Sequence, residues 1–258
     1  MTDTGSSVYV YGVVHGDALH PAKPLTGVGS GPASVRLVAH GDLAAVVSDV
    51  SPAWRAGTRA DVQAHDRVLS ALLDAPLVPM RFGIVMDGDD AVRARLLAPH
   101  AGELATLLEH VEGRVQMSVK AYYLEEALLR AVLARRPELK QRSEALEGST
   151  PAATQNERIA LGREVAAAVE EQRALDQQAL VEPLARLADD VIVDPGRSER
   201  HAFTAQLLVG VARRPQLDAA VQRLIAKYRG RFALRYVGPL PPYSFCDLTL
   251  EAEPAPWV

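Results

Sequence analysis

The order of strand-like and helix-like segments in the second half of the chain constrains the fold more than any other feature. Runs of β-branched and aromatic residues predict strands, whereas apolar residues spaced by threes and fours predict helices. The predicted strands are 114–123, 191–194, 203–212 and 232–238, with a further one at 245–251, and the predicted helices lie within 124–190 and from residue 215 onward. Up to residue 238 this is the βαββαβ order of a ferredoxin-like unit with an enlarged first crossover.

The enlarged crossover predicts a long helical hairpin at about residues 124–190. Helical spacing runs from Leu124 to Arg136, and Pro137 can begin a second helical stretch. Thr150-Pro151 is a cap followed by proline at the first helical position, which predicts the start of a long helix. We expect that helix to pack against the preceding ones at Leu128, Val132 and Leu139. Its middle, 170–178, is nearly all polar and is expected to be solvated.

The first half predicts a small sheet with fewer helices. Its predicted strands are 8–14, 35–40, 43–50 and 77–86. Gly41-Asp42 is a hairpin dipeptide, and Thr58 with Asp61 three residues later is a helix-start signal. We therefore expect an α+β protein of two small mixed-sheet domains, 1–112 and 113–258, of which the second is ferredoxin-like.

Composition excludes several classes of protein. The 258 residues are 48% hydrophobic and carry a net charge of −4, which argues against disorder and against a dedicated nucleic-acid binder. Apolar runs are shorter than the roughly 20 residues that cross a bilayer, and the first residues lack the pattern of a secretory signal. The single cysteine, Cys246, cannot form an internal disulfide. These features predict a cytoplasmic protein without a membrane segment.

Motifs for catalysis are missing from the sequence. GVGSG at 27–31 lacks the spacing of a dinucleotide fingerprint, and phosphate-loop and nucleophile-elbow patterns are absent. Asp87–Asp90 resembles the start of a calcium loop but lacks its later ligands, so helix-start acids are the simpler interpretation. His65 lies on the core side of its helix and is interpreted as a core or capping histidine and not as a metal ligand or base. We expect no enzyme activity, no cofactor and no metal site.

Two strand motifs contain an arginine at the centre of an apolar run. Period-two alternation in 77–86 places four residues on one face: Val78, Met80, Phe82 and Ile84. In 232–238 the corresponding set is Phe232, Leu234 and Tyr236. Arg81 and Arg235 then point the other way, where each is either held by an acid or available to a partner protein.

The segment 238–245, GPLPPYSF, joins the last two predicted strands. Its three prolines fix φ and remove amide donors, so the segment must be extended and stiff. A rigid connector is the simpler interpretation, and a proline-rich ligand is the alternative. In either case Tyr243 and Phe245 could pin the segment across a domain face.

Six segments of the sequence follow one another in the order found in a known protein family. They are VYVYGVV, LAAVVSDV, the PMRFG strand, VEGRVQMSVK, GREVAAAV and RFALRYVGPLPPYSF. The chain resembles the gas vesicle protein F/L family (GvpF/GvpL) essentially from end to end. HAFTAQLLV departs from the asparagine-containing strand that members of the family often have.

The resemblance implies an accessory or minor structural protein of the gas vesicle, one that binds the hydrophobic shell protein GvpA and assists assembly. It also implies two α+β domains, one ferredoxin-like with a long helical element, and no catalytic residue or cofactor. We therefore expect a cytoplasmic, gas vesicle-associated protein whose partners are GvpA and other accessory proteins, not nucleic acid or membrane. The candidate contacts are Arg81, Phe82, Arg235, Tyr236, Pro241, Pro242, Tyr243 and Phe245.

Two other functions compete with this one. A ferredoxin-like unit often binds metabolites, so a small-molecule-binding regulatory module is the main alternative. A hydrolase whose nucleophile and base come from distant segments is the other, because sequence alone does not reveal such a pair. Fold by itself supports none of the three.

Overall fold

The computed structural model describes residues 7–16, 25–29, 34–55, 57–147, 154–196 and 198–248. They form two compact units. The first reaches Gln116 and also takes in the chain from Gly238 onward, and the second is Met117–Val237. The sequence had placed the segment from Gly238 in the second domain. It belongs to the first unit because Tyr243 and Ser244 make hydrogen bonds to residues of that unit.

The first unit contains a five-stranded sheet. Its strands are β1 Ser7–His15, β2 Arg36–His40, β3 Leu43–Val50, β4 Val78–Pro79 and β5 Val85–Met86. The order is β2-β3-β1-β4, and β5 also pairs with β1. The predicted hairpin is confirmed: His40 pairs with Leu43, and Gly41 takes the left-handed conformation (φ +57°) that the tight turn requires.

The prediction of one continuous strand over residues 77–86 is wrong for the middle of that range. The chain leaves the ladder after Pro79 and rejoins it at Val85, with a turn at Phe82 and Gly83. Gly83 has φ +100°, which interrupts the strand, and its N–H donates to the Tyr9 hydroxyl instead of to a neighbouring strand. The predicted alternation of faces therefore does not hold, since Val78, Pro79 and Met80 are all buried.

The described residues of the first unit also form three helices. They are α1 Arg59–Ser70, α2 Gly88–Val92 and α3 Ala101–Val111, and a π-helical stretch, Arg93–Leu97, follows α2. Thr58 caps α1 as predicted, because its hydroxyl accepts the Asp61 N–H. Val68, Leu69 and Leu72 pack into the core against β1 and β3. Val62, in the first turns of α1, is exposed.

The second unit has the predicted sequence of elements. The strands that lie wholly or mainly in this unit are β6 Arg114–Tyr123, β7 Asp190–Pro195, β8 His201–Gly210 and β9 Phe232–Leu240. Its helices are α4 Ala127–Arg135, α5 Pro137–Glu147, α6 Gln155–Ala185 and α7 Arg214–Lys227. The sheet order is β7-β8-β6-β9. The α+β class is confirmed, and the ferredoxin-like description stays a prediction.

The long helix α6 packs against α4 and α5 as expected. Val132, Leu139, Leu161 and Ala168 form the shared apolar cluster, with Leu128 beside them. The expectation of a solvated middle is wrong at Gln172 and Asp176, which are both buried. The Thr150-Pro151 start signal lies outside the described residues. Within the described ranges, every helix is too short or too polar to span a bilayer.

The last predicted strand, 245–251, is also wrong in the part that the structure describes. Tyr243–Phe245 form a 3₁₀ turn, and the residues from Cys246 to Leu248 have no regular structure. The Tyr243 and Phe245 amides donate to the carbonyls of Pro241 and Pro242, so they are used locally.

Candidate interaction site

His65 is the centre of the polar network in the first unit. Helix α1 directs its ring at β1, where the Tyr9 hydroxyl lies 2.9 Å from Nδ1. The Tyr243 hydroxyl lies 2.8 Å from Nε2, and the residue is only 1% exposed. A neutral imidazole donates at one nitrogen and accepts at the other, so both hydroxyls satisfy it without a charge. The expected core histidine is confirmed.

The acid–base properties of this network favour neutral groups. Burial lowers the pKa of His65, against the opposing effect of the nearby Asp66 carboxylate. Burial also raises the pKa of the Tyr9 and Tyr243 hydroxyls far above their ordinary value. Desolvation disfavours the charged form of each group. The network therefore acts as a rigid hydrogen-bonded support at neutral pH.

Four aromatic rings contact His65, and Trp54 packs against one of them, Tyr9. Tyr11 stacks on the imidazole at 5.7 Å between centroids, Phe82 meets it edge-on at 5.7 Å, and Trp54 lies 5.3 Å from the Tyr9 ring. We call the set Tyr9, Tyr11, Trp54, His65, Phe82 and Tyr243 the His65 cluster. Such tilted and edge-on contacts add to burial energy and restrict ring orientation.

A second set of bonds ties the segment 25–29 to α1. The Asp61 carboxylate accepts the Gly29 N–H at 2.9 Å and the Thr58 hydroxyl at 2.6 Å. Burial raises the pKa of Asp61, but hydrogen bonds from Thr58, Gly29 and Trp54 outweigh that effect and lower it. Asp61 is consequently a structural carboxylate, satisfied at each oxygen.

The structure places six of the eight predicted contact residues in this unit. Arg81 has an 85% exposed side chain and pairs with Asp247 at 3.4 Å, so an acid partner is present at the surface. Tyr243 is 37% exposed, and Phe82 is half-buried in the His65 cluster. Pro241, Pro242 and Phe245 are buried. Arg81, Phe82 and Tyr243 therefore supply the accessible part of the set.

The other two predicted contacts lie on β9 in the second unit. Arg235 is exposed and has no ion pair among the residues that the structure describes. Tyr236 is half-buried, and its hydroxyl donates to Asp218 at 2.6 Å. Tyr236 is thus held in place from within its own unit.

Sequence reasoning missed a buried polar cluster around Asp176. Its carboxylate accepts bonds from the Tyr123 hydroxyl at 3.1 Å and the Gln172 amide at 2.8 Å, and it forms an ion pair with Arg231. The sequence does contain a signal for the burial of Gln172 and Asp176. Gln172 and Asp176 continue, at spacings of four, the buried stripe of α6: Leu161, Ala168, Leu180 and Leu184.

The remaining groups to consider are the Cys246 thiol and any cluster of metal-binding side chains. Burial raises the pKa of the Cys246 thiol to about 12, so it is a thiol and not a nucleophilic thiolate at neutral pH. The part of the chain that the structure describes holds no cluster of His, Cys, Asp and Glu suited to a metal ion.

Comparisons with known proteins agree with one another. The family model for the gas vesicle synthesis protein GvpL/GvpF matches residues 7–247. Gas vesicle protein F of a Streptomyces species is 37% identical over 246 residues, covering 93% of this chain and all of the relative. Gas vesicle protein F of a Nostoc species is 27% identical over 195 residues, covering 74% of this chain and 79% of the relative.

Solved structures show the same fold. The crystal structure of GvpF from an Anabaena species superposes with a TM-score of 0.84 at 24% identity, over 95% of this chain and 99% of that one. GvpF from Microcystis aeruginosa gives a TM-score of 0.79 at 22% identity, over 94% and 100%.

The α+β fold is thus that of a known class of gas vesicle protein. The family match over nearly the whole chain goes further than the fold. This chain belongs to the GvpL/GvpF family of gas vesicle proteins, as the sequence resemblance predicted. That is a family of gas vesicle proteins and not an enzyme family.

Proposed function

We propose that this protein assists gas vesicle assembly in the cytoplasm by binding the shell protein GvpA. Family membership supports a role among gas vesicle proteins. A subunit that builds a water-excluding wall has an apolar surface before assembly, and such a surface aggregates unless it is covered. A partner with accessible aromatic groups can cover it.

The observation that carries the proposal is that the accessible Tyr243 side chain is held in place by a buried histidine. The residue is 37% exposed, yet its hydroxyl lies 2.8 Å from Nε2 of the buried His65 ring. A side chain that is already fixed loses little conformational entropy on binding. Tyrosine and arginine are also enriched among the residues that dominate binding energy at interfaces. Arg81 is exposed and forms an ion pair with Asp247, four residues after Tyr243. It therefore adds an arginine to the proposed contact.

The remaining predicted contacts have different parts in this proposal. Pro241, Pro242 and Phe245 are buried and would hold the Tyr243 segment instead of touching GvpA. Phe82 would add apolar area at the edge of the His65 cluster. Arg235 and Tyr236 would form a separate contact on β9.

The test is co-purification of GvpA with tagged full-length protein. Replacing Arg81 and Tyr243 by alanine together should lower the retained GvpA by about tenfold, because both groups leave the contact. Arg67→Ala is the matched control, since Arg67 is an exposed arginine of α1 in the same unit. The Tyr243→Phe variant keeps the ring but loses the bond to His65, so its retention of GvpA should lie between that of the wild type and that of the double variant.

Circular dichroism and thermal unfolding establish that each variant is folded. Undiminished GvpA retention by the folded double variant would refute the proposed contact. Failure of the wild-type protein to retain GvpA at any salt concentration would refute the GvpA role itself.

A further inference from the structure

Strand β9 lies at one end of the sheet in the second unit. The strand order is β7-β8-β6-β9, so β9 pairs with β6 on one side and has an open edge on the other within the described residues. An open edge presents unpaired backbone N–H and C=O groups, with which a further extended segment can pair. Strands β7 and β9 both have such an edge, and they differ in how it is protected.

The edge of β7 is blocked. In its ladder with β8, every second amide of β7 turns outward, beginning at Val191. The Val191 N–H is already taken by the Asp190 carboxylate at 2.7 Å, and Pro195 has no N–H. The Val193 amide lies between these two positions, and one donor is too few for a ladder. This end of the sheet is therefore protected against an added strand.

The edge of β9 carries no such block. The Leu124 N–H donates to the Arg231 carbonyl at 3.0 Å, where β6 ends and β9 begins. Counting by twos along the antiparallel pair from that bond turns the amides of Leu234 and Tyr236 away from β6. The first proline of the strand is Pro239, beyond both of them. Two consecutive outward-facing residues of β9 therefore offer backbone donors and acceptors to an added strand.

The side chains of β9 alternate between two faces of the sheet. The Phe232 ring lies 4.8 Å from the Tyr123 ring, and the Tyr236 hydroxyl donates to Asp218 of α7, so this face packs within the unit. The opposite face is exposed at three successive positions: Ala233, Arg235 and Val237. A strand added to β9 would thus have one of its own faces beside this open surface.

Two cations lie side by side on the open face. Continuing the register from Leu124 and Arg231 places Lys120 of β6 opposite Arg235 of β9. Both cations are exposed, and neither has an ion pair within the described ranges. Like charges opposite each other on neighbouring strands repel. A carboxylate brought to this face would relieve that repulsion.

A second copy of this chain fits the edge poorly. Two β9 strands paired antiparallel through the Leu234 and Tyr236 amides would place Arg235 of one copy opposite Arg235 of the other, because Arg235 lies midway between those amides. Strand β7 of another copy lacks the outward donors for a ladder. The edge therefore favours a segment of a different protein, and one of opposite charge.

We infer that β9 binds an extended acidic segment of a partner protein as an added strand. Backbone bonds to Leu234 and Tyr236 would hold the segment, and its acidic side chains at alternate positions would face Arg235 and Lys120. Complementary charge gives the contact its selectivity. The inference rests on the β9 contact of the proposed function and adds the chemistry of the segment bound there. Peptide binding is measured without GvpA, so its failure is distinct from a failure of GvpA retention.

The probe is a labelled peptide of about nine residues in which glutamate alternates with threonine, long enough to span the strand. A second peptide has lysine in place of glutamate, and a third is the glutamate peptide with its backbone amides N-methylated. Fluorescence anisotropy against the full-length protein should show binding of the glutamate peptide that weakens as salt rises. The other two peptides should bind at least about tenfold more weakly, because one meets like charge and the other cannot form a ladder.

Charge reversal tests the two cations. Lys120→Glu with Arg235→Glu should weaken binding of the glutamate peptide by about tenfold and make the lysine peptide the better ligand. The matched control reverses an exposed arginine and an exposed lysine elsewhere in the second unit, Arg163→Glu with Lys227→Glu, and should bind as the wild type does. The single variant Arg235→Glu should also bind the glutamate peptide more weakly, yet unfold at the same or a higher temperature than the wild type, because its carboxylate lies opposite Lys120.

Several outcomes would overturn the inference. They are equal binding of the glutamate and lysine peptides, binding that survives N-methylation, no binding of any peptide, and an equal loss in the control variant. Self-association of the wild type that the double reversal abolishes, without peptide binding, would overturn it as well, because the edge would then join copies of this chain. Thermal unfolding verifies that each variant is folded.

Discussion

At the residue scale, His65 shows how a buried polar group can be satisfied without charge. Both its ring nitrogens meet tyrosine hydroxyls, and the Gly83 N–H donates to the Tyr9 hydroxyl at 3.0 Å. One histidine therefore joins β1, α1 and the segment after Pro242. The sequence predicted that His65 is in the core, but neither tyrosine partner could be identified from spacing.

Stability should depend on pH through His65. Its pKa is lowered in the folded protein, so the unfolded chain binds a proton first as the pH falls. The stabilising effect of the neutral ring is present above the unfolded pKa of about 6.5 and is lost as the pH falls toward the folded value. Urea unfolding of the wild type should therefore show a decreasing free energy of unfolding below neutral pH.

The control is His65→Gln, which cannot titrate. It should be less stable at neutral pH by roughly 1–3 kcal/mol, because a tyrosine hydroxyl loses its partner. Its free energy of unfolding should also fall less between pH about 7 and 5 than that of the wild type. Parallel curves for the two proteins would contradict the assignment of this pH dependence to His65.

At the element scale, α6 is held to its sheet by polar as well as apolar contacts. Asp176 is 5% exposed, and its partners come from its own helix, from β6 and from the segment before β9. The ion pair with Arg231 thus connects parts of the second unit that are distant in sequence. Removing one member of a buried pair leaves an uncompensated charge.

A double-mutant cycle tests this role. Asp176→Leu should destabilise the protein by about 2–4 kcal/mol, since Arg231 and Tyr123 lose their acceptor. Combining it with Arg231→Met should cost less than the sum of the two single changes, because the charge no longer lacks a partner. Urea unfolding measures the free energy of unfolding of the wild type, the two single variants and the double variant. Strict additivity would show that the pair is not coupled.

At the scale of the whole molecule, the chain returns to its first unit after completing the second. Tyr243 bonds to His65, and Ser244 exchanges bonds with the Gln116 amide at 3.2 and 3.1 Å. The stability of the first unit therefore depends on residues near the other end of the sequence.

Truncation tests this dependence. A chain ending at Val237 should lose roughly 1–3 kcal/mol of stability in the first unit, because the hydrogen bonds to His65 and Gln116 disappear. A chain ending at Leu248 is the control and keeps them. Both retain Trp54 as their one tryptophan, so its fluorescence reports on the first unit in each. Identical denaturant midpoints would refute the role of the segment.

Short-range patterns determined much of this protein from sequence alone. The element order of the second unit, the Gly41 hairpin and the Thr58 cap follow from residues within a few positions of one another. Periodicity, capping and turn preference act over that range. The family resemblance rested on the same local segments, taken in order.

Tertiary structure alone decided the rest, because it depends on contacts between distant residues. His65 and Tyr243 are 178 positions apart, and Gln116 and Ser244 are 128 apart. The spacing of Asp176 places it on the buried stripe of α6, but its partners Tyr123 and Arg231 are 53 and 55 positions away. At the break in the strand, the Gly83 N–H likewise donates to a distant group, the Tyr9 hydroxyl, 74 positions away. Local pattern sets which elements form, and long-range packing sets which polar groups are buried and which remain available to a partner.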